Sequence, residues 1–387
     1  MDGKKYGKWQ PLRSLGAGGQ GETYVALDTQ RVNPEALVNS IADTVPRFMG
    51  IRPAGEKLVH AEQLAIALQR LAAKDDPVNQ GALKVFYKPK DSAGYEKAVE
   101  RMETEVRAYE TVSHPNLLRL LNKDLTSGWI VTEYQPQGTL ETHIDTRYRG
   151  NLLGALEALR PIVDAVAVLH SAGMVHRDIK PGNVFLSARG DLVLGDAGLV
   201  FFADEQHSRV SGTFENVGSR DWMPPWAMGM RVDDVRSSFD VFSLGKLLWS
   251  MVSGKRILRL WYHHKEEFEL ERMFPRDLDI RWARFVLDRC IVEEESDCLA
   301  NAMDLLGIID HAIRALRRGA QVIGESLQRL CTVCALGEYT SVDSVKTLGL
   351  NSVEGQSRPK IFACSHCGHT QIFYMGAGMP AAWRPKA

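Results

Sequence analysis

The chain of 387 residues has no apolar run of the roughly 18 residues that a spanning helix needs. Its richest candidate, NLLGALEALRPIVDAVAVLH, is interrupted by Glu157, Arg160 and Asp164, which excludes a membrane role for it. The opening segment MDGKKYGKWQ has no apolar stretch that could serve as a secretory signal. Charge of one sign is also missing. Lys and Arg number 47 against 48 Asp and Glu, a formal net charge of −1, so nothing global points to nucleic acid or an acidic membrane surface. Six cysteines are too few for the disulfide scaffold of a secreted protein of this length. Internal repeats are absent apart from two C-x-x-C units. These absences predict a soluble, cytoplasmic protein without membrane contact. What remains is ordinary globular usage, 44% hydrophobic and 25% charged, enough for two or three compact units.

Residues 8–27 read as strand, Gly-rich turn, strand. From about 29 to 80 the pattern changes. Leu58, Ala61, Leu64, Ala65, Leu68 and Leu71 recur at helical spacing, with no strand alternation. ALKVFYK returns to strand, and YEKAVERMETEVRAYETVS is a polar helix with an apolar stripe, ended by His114-Pro115. Short strands follow to Tyr134, then a mostly helical region to about Arg318. The last stretch is rich in Gly, Ser, Thr and Cys.

Chemistry concentrates at four places. Gly16, Gly18 and Gly21 form G-x-G-x-x-G between two strands, where missing Cβ atoms would let backbone N–H groups approach phosphate oxygens. A plain Gly-rich hairpin fits the same residues. A dinucleotide fold does not, because strand rather than helix follows the third glycine. Lys84 lies in an apolar strand, and Glu105 on the next helix could hold its ammonium against nucleotide phosphates. Glu100, Glu103 and Glu110 of that helix read as solvated. In GMVHRDIKPGNVFL, Asp178 could accept a hydroxyl proton, Lys180 could neutralise a transferring phosphoryl group and Asn183 could hold a metal. In LVLGDAGL, Asp196 could bind a second metal position. Phosphoryl transfer needs mainly positioning and charge neutralisation, which such a set with Mg²⁺ supplies.

In this order the Gly-rich loop, the Ala-x-Lys strand, HRDIKPGN, the DAG triplet and FDVFSLG resemble the eukaryotic-type serine/threonine protein kinases, over residues 8 to about 315. The resemblance implies an α+β, two-lobed fold with ATP in the cleft: a small β-rich lobe over 8–133 carrying the 29–80 insertion, and a helical lobe over 134–318. It implies that Gly16, Gly18, Gly21 and Ala82 border the nucleotide. Lys84 would contact the α- and β-phosphates and Glu105 would orient it. Asp178 would be the base, with Asn183 and Asp196 holding Mg²⁺ (or Mn²⁺). The hinge would be VTEYQPQG, with Glu133 and Gln135 backbone groups facing adenine and Thr132 as gatekeeper. Lys180 matches serine/threonine rather than tyrosine kinases, and Asp240 would brace the catalytic loop through its backbone.

Several residues depart from the family pattern. Ala197 stands where the family has Phe in Asp-Phe-Gly, and Tyr109, four residues after Glu105, is expected to fill the vacated volume. The family's Ala-Pro-Glu is Pro224-Pro225-Trp226 here, and the arginine that usually pairs with the lost acid is Leu299. Both ends of a buried ion pair thus read as apolar together, which can be neutral or stabilising. Ser208, Ser211 and Thr213, near Arg209 and with Arg177 before the base, are candidate activation-loop phosphosites or unmodified hydroxyls. Ser219 aligns with the substrate-loop threonine, but Arg220 and Asp221 beside it are unusual.

The tail carries Cys331, Cys334, Cys364 and Cys367 as two C-x-x-C pairs, resembling a zinc-ribbon module over 325–380. Four thiolates from two tight turns suit structural Zn²⁺; redox or unpaired thiols are the alternative. His366 and His369 are substitute ligands. Cys290 and Cys298 read as buried single thiols. The basic stretches SRPKIF and WRPKA are short, so protein contact or bracing is favoured over nucleic acid.

The expectation is a serine/threonine kinase acting on protein hydroxyls, with a protein partner for the tail or the insertion. Rival readings are a pseudokinase scaffold, a small-molecule phosphotransferase and an adaptor in which the tail carries the function.

Overall fold

The computed structural model describes residues 4–17, 21–31, 76–87, 92–197, 200–202, 220–228, 235–318 and, in the tail, 322–323, 326–327, 339–341, 359–364 and 370–374. The helical expectation for the insertion falls within 32–75, outside the described residues.

Five antiparallel strands form the small lobe: β1 (Trp9–Ala17), β2 (Gly21–Asp28), β3 (Gln80–Phe86), β4 (Leu120–Asp124) and β5 (Trp129–Glu133), in the order β1-β2-β3-β5-β4. The period of two sorts β3 between two faces. Leu83 joins Trp9, Ala26, Trp129 and Val131 on one side. Phe86 packs on the other with Ile130 and with Met102 and Val106 of helix α1 (Ser92–Thr111). Lys84 shares the α1 face because it is two residues from Phe86.

The insertion leaves after β2 and returns before β3. Both stems are tied down: Lys8 pairs with the buried Asp28 at 2.7 Å, and Arg31 Nη1 donates to the Val78 carbonyl at 2.7 Å. Asp76 caps the return turn by accepting from the Val78 amide at 3.0 Å.

The large lobe is built on α2 (Leu152–Ser171), capped by Asn151 Oδ1 accepting from the Gly154 amide. After it come β6 (Met174–Val175), β7 (Val184–Leu186), β8 (Leu192–Leu194) and β9 (Phe201–Phe202), then α3 (Ser238–Ser253). Every residue of α3 is buried, as expected of a helix apolar nearly all round. It stops at Gly254, whose left-handed backbone (φ 72°) lets its amide reach the Ser250 carbonyl. The short α4 (Leu270–Met273), α5 (Arg281–Leu287) and α6 (Ala302–Arg318) complete the lobe. Arg160 of α2 grips Asp310 of α6 with two nitrogens, at 2.5 and 3.0 Å. Trp226 lies edge-on to Phe242 at 5.4 Å, and it and Leu299 pack against one core cluster, as expected for a pair turned apolar. Cys290 is buried as expected. Cys298 is only half-buried, a correction whose cause is visible: its thiol turns towards the Cys290 and Ser238 carbonyls at the edge of the core.

The tail contributes β10 (Val322–Ile323), β11 (Ser326–Leu327) and an antiparallel sheet of β12 (Tyr339–Ser341), β13 (Pro359–Cys364) and β14 (Thr370–Tyr374). Among the described residues, no helix is long and apolar enough to cross a membrane.

Candidate active site

A cavity of about 620 Å³ lies between the sheet and the helical lobe. Gly16 and Ala82 border it from the strands, and Glu133 and Gln135 from the connection after β5. Thr132, buried on β5, lines it too. Gly18 lies outside the described residues. Gly21 has a reason of its own: a Cβ there would run into the backbone of Val85 on β3, so the glycine permits close strand pairing as well as any approach to phosphate.

Lys84 Nζ donates to Glu105 Oε2 at 2.7 Å and to Asp196 Oδ1 at 3.4 Å, joining β3, α1 and the segment after β8. Burial alone would push the Lys84 ammonium down, but the charges of Glu105 and Asp196 outweigh it and hold it above its ordinary value. For Asp196, burial opposes ionisation, and Lys84, His176 and Lys180 overcome it, leaving the carboxyl below the usual range. Its side chain is 40% exposed and borders the cavity, so an ionised oxygen faces the space.

Asp178 is held from two directions. Lys180 Nζ donates to both carboxylate oxygens at 2.9 and 2.8 Å. Asn183 Nδ2 donates to the Asp178 carbonyl at 2.8 Å and to Oδ2 at 2.7 Å. The β7–β8 hairpin pairs Val184 with Leu194, and the Gly195 amide donates to the Asn183 carbonyl at 2.9 Å. That bond brings the backbones carrying Asn183 and Asp196 side by side.

Two non-glycine residues in this region have left-handed backbones, Arg177 (φ 67°) and Asp196 (φ 58°). Such conformations cost on the order of 1–3 kcal/mol and persist where neighbours over-determine them. For Arg177, Asp240, fully buried on α3, supplies that constraint. Its Oδ2 accepts from the His176 amide at 2.7 Å, and its Oδ1 from the Arg177 amide at 2.8 Å. Burial works against its charge, but the hydrogen bonds from His170 and from the His176 amide hold its carboxyl low.

Sequence reasoning missed His170. Its Nδ1 accepts from the Ala302 amide at 3.1 Å, which leaves the proton on Nε2 to donate to Asp240 at 2.9 Å. The only sequence signal is a histidine at the end of an apolar helix, six residues before HRD. His176 was also missed: its Nε2 donates to the Gly195 carbonyl at 3.2 Å, tying the catalytic loop to the segment before Asp196. Ser208, Ser211, Thr213 and Ser219 lie outside the described residues, as do Cys331, Cys334, Cys367, His366 and His369. Cys364 closes β13, opposite Tyr339, and is buried.

The protein kinase domain matches residues 70–307, more than half of the chain. The chain belongs to the protein kinase family. Its lobes are accordingly the β-sheet and helical lobes of a kinase domain, although the match begins after β1 and β2. Similar curated proteins include an Aurora/IPL1-related protein kinase 2 from Caenorhabditis briggsae, 29% identical over 45% of this chain and 55% of that protein. Aurora kinase A-A of Xenopus laevis is 30% identical over 45% of this chain and 41% of its own length. The receptor-like serine/threonine-protein kinase SD1-7 of Arabidopsis thaliana is 27% identical over 70% of this chain and 37% of its own. The kinase chain thus spans about half, or less, of the curated relatives it matches.

Membership of the family implies ATP and Mg²⁺. The cleft fits both. It presents the Lys84 cation for phosphate and an ionised Asp196 for a hard metal ion, with the Lys180 charge close enough to help hold that carboxylate ionised. Because Asn183 spends its amide nitrogen on Asp178, its carbonyl oxygen is the end left for a metal.

Proposed function

We propose that this chain is an active serine/threonine protein kinase that uses ATP to phosphorylate protein hydroxyls. The observation that carries the proposal is the closed chain Glu105–Lys84–Asp196, with Asp178 already bonded to Lys180 and Asn183. Lys84, oriented by Glu105, would hold the α- and β-phosphates. Asn183 and Asp196 would hold Mg²⁺, which supplies charge neutralisation on the phosphates when bound.

Asp178 would accept the proton of the substrate hydroxyl as its oxygen bonds to the γ-phosphorus and the bond to the leaving ADP oxygen breaks. Lys180 would sit beside the oxygens that gain charge. Backbone groups of Glu133 and Gln135 would face adenine. Lys180, two residues after the base, favours serine and threonine over tyrosine. A cytoplasmic setting belongs to the proposal, since it supplies ATP and reduced thiols.

A pseudokinase scaffold is the second reading, and Ala197 in place of the family phenylalanine is what favours it. The test compares phosphate transfer from labelled ATP with Mg²⁺ by the wild type and by Asp178→Asn, with modified sites mapped by mass spectrometry. Loss of general base function should lower transfer by about 10²–10⁴-fold. No transfer from a folded wild type that still binds ATP would favour the scaffold.

We also infer that the tail binds structural Zn²⁺ through Cys331, Cys334, Cys364 and Cys367, and contacts a protein partner or braces its neighbour. The paired spacing supports it, as does the position of Cys364 at the end of β13, just before the connection carrying Cys367. One zinc held by the tail thiolates, lost on chelation together with folding of the tail, is the expected result.

A further inference from the structure

The turn after α3 and the end of α5 meet in a second cluster, far along the chain from the kinase motifs. Tyr262–His264 forms a single 3₁₀ turn, and Asp288 follows α5 directly. Nε2 of His263 lies 3.0 Å, and Nε2 of His264 3.3 Å, from the same oxygen, Oδ1 of Asp288. The three groups offer ligand atoms that all lie within 4.8 Å of one another.

The setting of His263 is what makes this more than a surface ion pair. The residue is only 5% exposed, and its Nδ1 lies 3.1 Å from the Trp261 carbonyl. With the Nδ1 N–H given to that carbonyl, Nε2 turns its lone pair towards Asp288 Oδ1, and a single cation placed among the two rings and the carboxylate would engage all three ligand atoms. Donation of the far ring N–H to a backbone carbonyl is also how metal-bound histidines are usually oriented.

We propose that His263, His264 and Asp288 form a site for a borderline divalent transition metal, with Zn²⁺ as the natural occupant. Two nitrogens and one carboxylate oxygen suit Zn²⁺, Co²⁺ or Ni²⁺ and disfavour Mg²⁺ and Ca²⁺. The two short separations are close to the roughly 3.3 Å edge of a tetrahedron with bonds of about 2.0–2.1 Å. A small cavity of about 20 Å³ adjoins the two imidazoles and is lined by His263, His264, Glu269 and Arg284, with Asp288 outside its lining. A space of that size holds one ion or water. Glu269 is the candidate fourth ligand, now paired with Arg272 at 3.0 Å and facing Arg284 at 3.9 Å; a water is the alternative. The bound metal would staple the segment after α3 to the end of α5.

The test uses the full chain, stripped with a chelator and titrated with Co²⁺, beside His264→Gln and His263→Gln. His264 is exposed enough that its substitution leaves folding intact, checked by circular dichroism. The wild type should bind one more equivalent than either variant. The absorption of that equivalent should lack the thiolate charge-transfer band that cysteine ligands in the tail would give. Equal stoichiometry in wild type and His264→Gln overturns the proposal. So does a lost equivalent that carries the thiolate band, which would assign the metal to the tail instead.

Discussion

Tyr109 packs against Ala197, the residue that replaces the family phenylalanine, in a cluster with Ala108, Leu169, Met174 and Val200. Its ring lines the cavity beside Glu105 and Asp196, with the phenol near the Glu105 carboxylate and the backbone of Asp196 and Ala197. Burial, then the nearby charges of Glu105 and Asp196, push the phenol well above its ordinary value, so it stays protonated and can donate.

The aromatic ring has moved from the segment after β8 to α1, and volume is coupled between the two positions. Tyr109→Ala should cost about 3–5 kcal/mol, as large-to-small core changes do. Ala197→Phe alone should overpack by about 1–3 kcal/mol. Tyr109→Leu combined with Ala197→Phe should recover most of both losses, giving a favourable coupling in a double-mutant cycle. Tyr109→Phe should keep the melting temperature and raise the KM for ATP, because only the hydroxyl between Glu105 and Asp196 is lost. Additive stabilities, or an unaltered Tyr109→Ala protein, would sink the idea.

Asp240→Asn tests the brace beneath the catalytic loop. Three donors converge on the carboxylate, from the His176 and Arg177 amides and the His170 ring. An asparagine offers one acceptor oxygen and turns an NH₂ towards a donor. The unsatisfied buried donor should cost about 1–3 kcal/mol in urea unfolding. Because the native carboxyl is held low, its contribution is fully present above the unfolded value of about 3.9 and fades as pH falls through the lower native value. The stability gap between wild type and variant should therefore narrow only in acid. Phosphate transfer should fall at neutral pH even where the variant is folded, since Arg177 loses the contact that holds its left-handed backbone.

Gly195→Ala should be destabilising although the backbone there is unstrained. A Cβ would meet the end of the Leu118 side chain and approach Phe185 Cε2 at 2.9 Å. Overpacking of this kind costs about 1–3 kcal/mol. Leu118→Ala in the same chain should relieve the clash, so the double variant should lose less stability than the two single losses added together. Additive losses in thermal melts would mean that Leu118 is not the obstacle.

The residues proposed to touch reacting groups were legible in the sequence because their chemistry is dense and local. Lys84, Asp178, Lys180, Asn183 and Asp196 stand in short motifs, and β3 and the α1 helix follow from periods of 2 and 3.6. The residues that hold them were legible only in part. The resemblance gave Glu105 as the partner of Lys84 and Asp240 as a brace on the loop backbone, but His170, the side-chain partner of Asp240 from 70 positions away, reads only as a polar residue at a helix end. Gly21 looked like a phosphate loop glycine, while part of its reason is a neighbouring strand that the sequence does not place. Tyr109 was legible as volume but not for the setting of its hydroxyl, since its neighbours Asp196 and Ala197 lie far along the chain. Position in the chain carries motif chemistry well and long-range polar pairing poorly.

Lys246 is the clearest case of a side chain whose role appears only in three dimensions. It sits in the middle of α3 and is 2% exposed, a lysine inside the core of the large lobe. Its ammonium donates to the Asp221 carbonyl and lies 5.1 Å from the Phe242 ring. It thereby pins the turn at 220–222, on the segment beside Ser219, to the central helix. Burial lowers its pKa to about 8, with the Asp221 charge opposing in part. Below pH 8 both the native and the unfolded chain hold the proton, so the cost of burying the charge is fully present. Between about 8 and the unfolded value of about 10.4, the native chain releases the proton first. The unfolded state then binds more protons and stability rises with pH. The recoverable amount is about 3 kcal/mol for a shift of this size. Lys246→Met, which keeps an unbranched apolar stem, removes the titration. The difference in unfolding free energy, wild type minus Lys246→Met, should therefore grow in favour of the wild type from pH 7 to pH 10 in urea titrations. A difference that stays flat over that range would mean the buried ammonium keeps its proton. The Asp221 carbonyl and the Phe242 ring would then stabilise it far better than its depth in the core implies.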